Sequence, residues 1–378
     1  MPGSVSLPHA SVDPEGLQEF SVVFTDRSLN HMSQRFQTVM RDISALLCEV
    51  YGGTSLALVP GGGTFAMESV ARQFARGKAL VVRNGLFSFR WSAIFDAGHL
   101  NEGASVLMAR PTGNGAQAPY APAPIDEVVA RIRADAPQAV FAPHVETSAG
   151  MMLPDGYIAA MAEAAHSVGA LLVLDCIASG AAWVDMRALG VDVLVSAPQK
   201  GWSASPSAGL VVMGPRAEAR LAETTSDSFA LDLKKWRAIM AAYEGGGYAY
   251  HATLPTDALA GLRDAMLETR AMGFEAAKAA QFALGNGARL LLAAYGHRPL
   301  AADGYGAPGV VVCHTDRADL QNGSAFALAG FQIAAGVPLM VGEGPEFRTF
   351  RIGLFGLDKL KDVPGTLARL DASLKAVS

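Results

Sequence analysis

Short apolar runs of strand length alternate with segments of helical periodicity along most of this 378-residue chain. The runs lie at residues 55–60, 79–85, 139–146, 171–174, 191–195 and 209–213. Between them, segments such as residues 33–51 repeat apolar side chains at the spacing of one helix face. Strands that alternate with helices in this way pair in parallel, and the helices cover both faces of the sheet. The sequence therefore predicts an α/β fold with a mostly parallel sheet.

A chain of 378 residues can bury a large core, and we expect it to form two lobes. Residues 1–20 are rich in Pro, Ser and Gly and are predicted to form an irregular N-terminal arm. Residues 21–255 hold most of the alternation and are predicted to form a large domain. A long helix, capped by Thr256 or Asp257, is predicted to lead into a smaller C-terminal α/β domain of residues 256–378.

Composition and charge argue against several classes of function. The net charge of −5 and the absence of a basic cluster do not favour nucleic-acid binding. The chain shows neither a signal-peptide pattern nor an apolar run of membrane-spanning length, so we expect a cytoplasmic protein without a membrane partner. Cys48, Cys176 and Cys313 lack CxxC spacing, and His144 with Glu146 provides too few ligands for a metal. No metal site is predicted.

Two polar residues follow neighbouring apolar runs in the centre of the chain. Asp175 closes one run, and Lys200 comes shortly after the next. Pyridoxal phosphate needs such a pair, because its aldehyde forms a Schiff base with a lysine and its ring nitrogen needs a carboxylate that keeps it protonated. A capping aspartate and a solvated lysine are the alternative interpretation. Lys234 and Lys235 are rivals for the lysine, but they lie on a predicted polar helix.

A glycine-rich turn lies between the run at residues 55–60 and a predicted helix. The backbone N–H groups of such a turn stand at the positive end of the helix dipole, where they can bind a phosphate. We expect Gly62, Gly63 and Thr64 to make these contacts. The turn matches neither the P-loop nor the GxGxxG pattern, and a plain connecting turn is the alternative.

The segments LDCIASGAAWVDM and APQKGWSASPSAGLVV resemble the corresponding segments of the class V aminotransferases, the alanine–glyoxylate and serine–glyoxylate group of fold-type I pyridoxal phosphate enzymes. The resemblance covers nearly the whole chain. It implies a fold-type I transferase that forms a homodimer with shared active sites. It also implies a transaminase that moves an amino group from a small amino acid, such as alanine or serine, to a 2-oxo acid such as glyoxylate or pyruvate.

The resemblance also implies which further residues contact the cofactor. Phe87 matches the position of the aromatic side chain that packs on the pyridine ring. Thr147 matches the contact to the ring oxygen, and Ile177 and Gln199 are further expected cofactor contacts.

Three more positions match residues of this family. Tyr250 and Thr253 match a tyrosine and a threonine that reach across the dimer to the partner's cofactor phosphate. Arg351 matches the arginine that binds the substrate α-carboxylate, and the planar fork of a guanidinium suits this role. Arg348 is the rival, expected on the opposite face of an extended strand.

Alternative functions remain open. A cysteine desulfurase or another lyase of the same fold would need a reactive cysteine, and desulfurases usually carry His where Gln199 stands. A 2-aminoethylphosphonate–pyruvate-type transaminase is a second alternative, because the Gly-Pro segment of the family is missing from residues 21–36. A non-catalytic binding protein is the third alternative, and the presence of both Asp175 and Lys200 argues against it.

Overall fold

The structure is a computed structural model that describes residues 11–18, 20–22, 27–101 and 103–378. Residues 1–10 and 19 of the predicted N-terminal arm lie outside the described residues. The strands are β1 (Ser55–Pro60), β2 (Ala79–Arg83), β3 (Ala104–Met108), β4 (Arg110–Pro111), β5 (Tyr120–Ala121), β6 (Ala139–Pro143), β7 (Val145–Glu146), β8 (Met151–Met152), β9 (Leu171–Asp175), β10 (Val193–Ser196), β11 (Ala208–Met213), β12 (Val310–His314), β13 (Ala334–Ala335) and β14 (Thr349–Gly353). The helices are α1 (Gln34–Tyr51), α2 (Gly63–Phe74), α3 (Leu86–Gly98), α4 (Ile125–Asp135), α5 (Asp155–Ser167), α6 (Met186–Leu189), α7 (Pro215–Glu223), α8 (Leu233–Glu244), α9 (Thr256–Met272), α10 (Phe274–Ala294), α11 (Ala318–Gln321), α12 (Ser324–Leu328), α13 (Leu357–Lys361) and α14 (Val363–Val377).

A seven-stranded sheet forms the centre of the molecule, in the order β1-β11-β10-β9-β6-β2-β3. From β10 to β3 every pair of neighbours is parallel, which confirms the predicted α/β fold with a mostly parallel sheet. All residues of β2, β6 and β9 are buried, as expected for strands that are covered on both faces. Only β11 runs antiparallel to its neighbours β1 and β10, because the connection at residues 197–207 contains no helix that would cross over the sheet.

The direction of the strands determines where the polar residues of the central region lie. β9 and β10 are parallel, and β1 runs the same way because both β1 and β10 are antiparallel to β11. The segments that follow β1, β9 and β10 therefore leave the sheet at the same edge. This edge collects the glycine turn at residues 61–63, Asp175 and Lys200.

A second, three-stranded antiparallel sheet has the order β12-β14-β13. Arg351 lies in its middle strand, opposite Val312 on one side and Ala334 on the other. The helices α10 and α14 pack against each other beside this sheet. The predicted boundary between residues 255 and 256 stays a prediction.

Two helix ends show where local sequence rules succeed and fail. Ser33 caps α1 by accepting a hydrogen bond from the N–H of Phe36 at 3.1 Å. The predicted cap of α9 is wrong, since Pro255 occupies the N-cap position. The carboxylate of Asp257 instead accepts a hydrogen bond from the distant N–H of Leu29 at 2.9 Å. None of the helices in the described ranges combines the length and apolar character that a bilayer span requires.

Candidate active site

A cavity of about 360 Å³ lies where the carboxyl edge of the seven-stranded sheet meets the three-stranded sheet. Residues that follow β1, β9 and β10 form one wall, and residues of β14 form part of the other. Most of the predicted site residues line it, namely Gly63, Thr64, Phe87, Thr147, Asp175, Ile177, Gln199, Lys200 and Arg351. The fold therefore brings together residues that are almost 290 positions apart in the sequence.

Three predicted residues do not line this cavity. Tyr250 and Thr253 line a separate cavity of about 120 Å³ together with His31. The side chain of Tyr250 is 60% exposed. Gly62 is the N-cap of α2, and a Cβ atom at this position would meet no atom within 4 Å. The roles of Tyr250 and Thr253 toward a partner's phosphate stay a prediction, because they need a second subunit.

Asp175 is the last residue of β9, and its side chain is buried inside the cavity wall. Its Oδ1 atom accepts a hydrogen bond from the N–H of Ile177 at 2.9 Å. Burial raises the pKa of Asp175 to about 7, and the charge of Glu146 adds to this effect, whereas the hydrogen bond and Arg90 oppose it. The carboxylate can accept further hydrogen bonds, so it suits a ligand that brings a positively charged N–H group.

Lys200 lies in the turn after β10 and is partly buried. Burial lowers the pKa of its ammonium group, and the nearby charge of Arg351 lowers it further. Both effects increase the neutral, nucleophilic fraction of the amine. The turn packs closely against the backbone at Gly180. A Cβ atom on Gly201 would lie only 2.3 Å from the carbonyl oxygen of Gly180. The rival Lys234 donates to the carbonyl oxygen of Ala222 and is not part of the cavity lining.

The glycine turn presents the N-terminus of α2 to the cavity. The first N–H groups of a helix have no partner within it, and Gly63 and Thr64 occupy these positions. A Cβ atom on Gly63 would lie 2.5 Å from Cδ1 of Ile177, so the turn lies in close contact with the segment after β9. The space and the free N–H groups suit an anion such as a phosphate.

Phe87 lies in the first turn of α3, and two guanidinium groups approach its ring. Cζ of Arg90 is 5.2 Å from the ring centroid, and Cζ of Arg351 is 5.8 Å from it. Arg351 is held by a hydrogen bond of 2.8 Å from its Nε to the carbonyl oxygen of Ala335. Burial lowers the pKa of Arg351. The rival Arg348 does not line the cavity.

Glu146 is a site residue whose role the sequence analysis missed. Its carboxylate is fully buried and accepts five hydrogen bonds of 2.6–3.2 Å. The donors are the N–H of Phe87 and the N–H and hydroxyl groups of both Ser88 and Ser148. A Cβ atom on Gly85 would lie 2.7 Å from Cγ of Glu146, so this close approach requires glycine. The carboxylate thus ties the start of α3 to the turn after β7.

His144 and Glu146, which the sequence analysis considered as metal ligands, contact different partners. Nδ1 of His144 lies 2.7 Å from the hydroxyl of Ser179, whereas Glu146 is directed to α3. Burial lowers the pKa of His144 to about 4, so its ring is neutral at pH 7. In the described ranges no group of three or more His, Cys, Asp and Glu side chains is placed to hold a metal ion.

The sequence model of the family Aminotransferase class-V matches residues 16–322, and the chain belongs to this family. It is therefore an enzyme of the transaminase class. A 2-aminoethylphosphonate–pyruvate transaminase from Burkholderia thailandensis is 31% identical over 354 residues, which cover 90% of this chain and 89% of that protein. Another from Paraburkholderia phymatum is 30% identical over 364 residues, 93% of this chain and 91% of that protein.

The fold is also found in solved structures. An alanine–glyoxylate aminotransferase from Nostoc sp. matches with a TM-score of 0.77 at 22% identity, and the match covers 92% of this chain and 89% of that chain. Together with the family match, this confirms the fold-type I assignment and the resemblance to class V aminotransferases.

Proposed function

We propose that this protein is a pyridoxal phosphate-dependent transaminase that transfers the amino group of a small acidic donor to pyruvate or glyoxylate. The observation that carries the proposal is the presence of Asp175, Lys200 and Gly63 at the start of α2 in one cavity. These groups match the three parts of the cofactor. The carboxylate suits the ring nitrogen, the amine suits the aldehyde, and the N-terminus of α2 suits the phosphate.

Each residue has a distinct task in this mechanism. When bound, the cofactor supplies an electron-withdrawing ring that stabilises negative charge on the carbon next to the amino group. Asp175 keeps the ring nitrogen protonated. Lys200 would hold the aldehyde end of the cofactor, and its amine, when free, would serve as the acid and base that moves a proton at the donor carbon. Phe87 covers the ring, and Arg351 binds the acidic group of the substrate.

Arg351 is the cationic side chain on the substrate side of the cavity, and its charge favours an acidic substrate. Among the described residues, no carboxylate forms an ion pair with Lys200, Arg90 or Arg351. Relatives at about 30% identity are named for 2-aminoethylphosphonate and pyruvate, so we propose 2-aminoethylphosphonate as the first donor to examine. Alanine and serine, which the sequence analysis favoured, remain the alternative donors.

The decisive experiment follows the visible absorption of the purified protein with its cofactor. Single donors are added without a 2-oxo acid. We expect one of them to bleach the band, and pyruvate or glyoxylate to restore it. Lys200→Ala should keep bound cofactor without turnover, whereas the control Lys234→Ala should behave as the wild type. A normal rate in Lys200→Ala, or release of ammonia instead of a new amino acid, would contradict the proposal.

The desulfurase alternative lacks a suitable thiol. Cys313 is fully buried in β12, and burial raises its pKa to about 12. Burial likewise raises the pKa of Cys176 and Cys48. None of the three lines the cavity, and a protonated thiol is a poor nucleophile.

The proposal includes a homodimer in which Tyr250 and Thr253 serve the partner's site. Their exposure and their position outside the cavity of their own chain support it. Mixing Lys200→Ala with the double variant Tyr250→Ala and Thr253→Ala should restore activity at limiting cofactor, because the mixed dimer has one complete site. No recovery after exchange of subunits would contradict shared sites. A cytoplasmic location stays a prediction.

A further inference from the structure

We propose that Arg90 is a phosphate-binding residue of the cofactor site and that it acts together with Thr64. This inference rests on the proposed function. The sequence analysis assigned no role to Arg90, although it lies three positions after Phe87 and therefore on the same face of α3.

The first observation is a contact between two helices. Nη1 of Arg90 donates a hydrogen bond to Oγ1 of Thr64 at 2.9 Å, so the side chain reaches from α3 to the start of α2. Thr64 is then the acceptor in this bond, and its own hydroxyl hydrogen remains free to donate to an anion. The guanidinium keeps further N–H groups for the same anion.

The second observation is the charge of Arg90. Among the described residues, no carboxylate lies within ion-pair distance of its guanidinium, whereas other arginines such as Arg72 and Arg131 are paired with acids. Arg90 as a whole is partly buried, and it lines the cavity. A cation in this position without an acidic partner is well suited to a ligand that brings negative charge.

The third observation separates the tasks of the two arginines. Arg90 and Arg351 approach the same ring of Phe87 at 5.2 and 5.8 Å, but they are fixed to different walls. Arg351 is bonded to Ala335 of the three-stranded sheet, and Arg90 is bonded to Thr64 at the glycine turn. If Phe87 covers the cofactor ring, Arg90 stands at the phosphate end and Arg351 at the substrate end.

The test compares two ligands that differ only in the phosphate. Dissociation constants of pyridoxal phosphate and of pyridoxal are measured by absorption for the wild type, Arg90→Gln, Arg90→Lys and the exposed control Arg187→Gln. We expect Arg90→Gln to weaken pyridoxal phosphate by about 10- to 100-fold and pyridoxal by less than about twofold. Arg90→Lys should recover part of the loss, and Arg187→Gln should not differ from the wild type.

The outcomes distinguish the inference from the proposed function. A wild type that binds neither ligand contradicts the proposed function itself. Equal loss of both ligands, with a reduced urea midpoint, means that Arg90 only supports the fold and overturns the inference. Unchanged cofactor affinity with a raised KM for 2-aminoethylphosphonate also overturns it, because Arg90 would then bind the substrate's acidic group.

Discussion

Two carboxylates lie buried beside the cavity, and they differ in the number of hydrogen bonds that they accept. Glu146 accepts five, from the first turn of α3 and from Ser148. Asp175 accepts one from the described chain, the N–H of Ile177. Both side chains are less than 10% exposed, so the difference does not come from access to water.

We interpret the difference as one between a structural carboxylate, Glu146, and the proposed functional one, Asp175. A buried carboxylate whose acceptor positions are all used stabilises the groups around it. One with free positions lowers the stability of the fold until a ligand supplies a donor. Glu146 thus fixes the backbone on which Phe87 and Thr147 lie. Asp175 keeps free acceptor positions for a ligand. Its raised pKa reflects the free energy that is needed to bury its charge.

The largest effect is expected for Asp175→Asn. The amide cannot hold the ring nitrogen of the cofactor protonated, so turnover should fall by about 100- to 1,000-fold. The fold should persist, since the neutral side chain relieves the burial of a charge. Steady-state rates and circular dichroism measure the two effects. A loss below tenfold would remove the distinction between Asp175 and Glu146.

Glu146→Gln should act on stability instead. The amide nitrogen faces N–H and hydroxyl groups that need an acceptor, so the free energy of unfolding should fall by about 2–4 kcal/mol. Urea denaturation of the cofactor-free protein at pH 8 gives this value, and Asp175→Asn is the matched control that should not be destabilised. Equal destabilisation of both variants would mean that both carboxylates are structural.

The free energy of unfolding should depend on pH through Asp175. Its pKa is raised from 3.8 in the unfolded chain to about 7 in the fold, so between these values the native state holds a proton that the unfolded state has lost. The contribution of Asp175 to stability therefore falls as the pH rises from about 4 to 7 and stays constant above. In the cofactor-free protein, the wild type should lose stability relative to Asp175→Asn between pH 5 and pH 8. Parallel curves would contradict the raised pKa.

The smallest effect is expected for Cys313, which is buried as deeply as the two carboxylates but lies outside the cavity lining. Cys313→Ala should change turnover by less than about twofold. In the folded protein at pH 8, iodoacetamide should leave the thiol unmodified because its pKa is near 12. Rapid alkylation with loss of activity would instead favour the desulfurase alternative.

The sequence was sufficient to predict where those site residues lie whose positions depend on strand ends. Asp175 ends a strand of recognisable pattern, Lys200 and Gly63 each follow one, and parallel strands end at one edge of the sheet. Asp257 shows the limit, because a rule for local capping cannot foresee a bond to Leu29, 228 positions away.

Glu146 and Arg90 were missed for a similar reason. The partners of Glu146 in α3 are 58 or 59 positions away, and Thr64 lies 26 positions before Arg90. A signal was nevertheless present in each case. A glutamate within an apolar run needs buried donors, and an arginine one helical turn after Phe87 shares its face.

The separation of the cavity walls between two sheets also has a consequence for protein engineering. The proposed catalytic residues Asp175 and Lys200 lie at the edge of the seven-stranded sheet, whereas Arg351 and its neighbours belong to a sheet of three strands. Random substitution of Val310, Ala334 and Gly353, which line the cavity from the three-stranded sheet, would vary the shape presented to the donor without altering Asp175 or Lys200. New amine specificities should therefore be easiest to select in a library confined to these three positions.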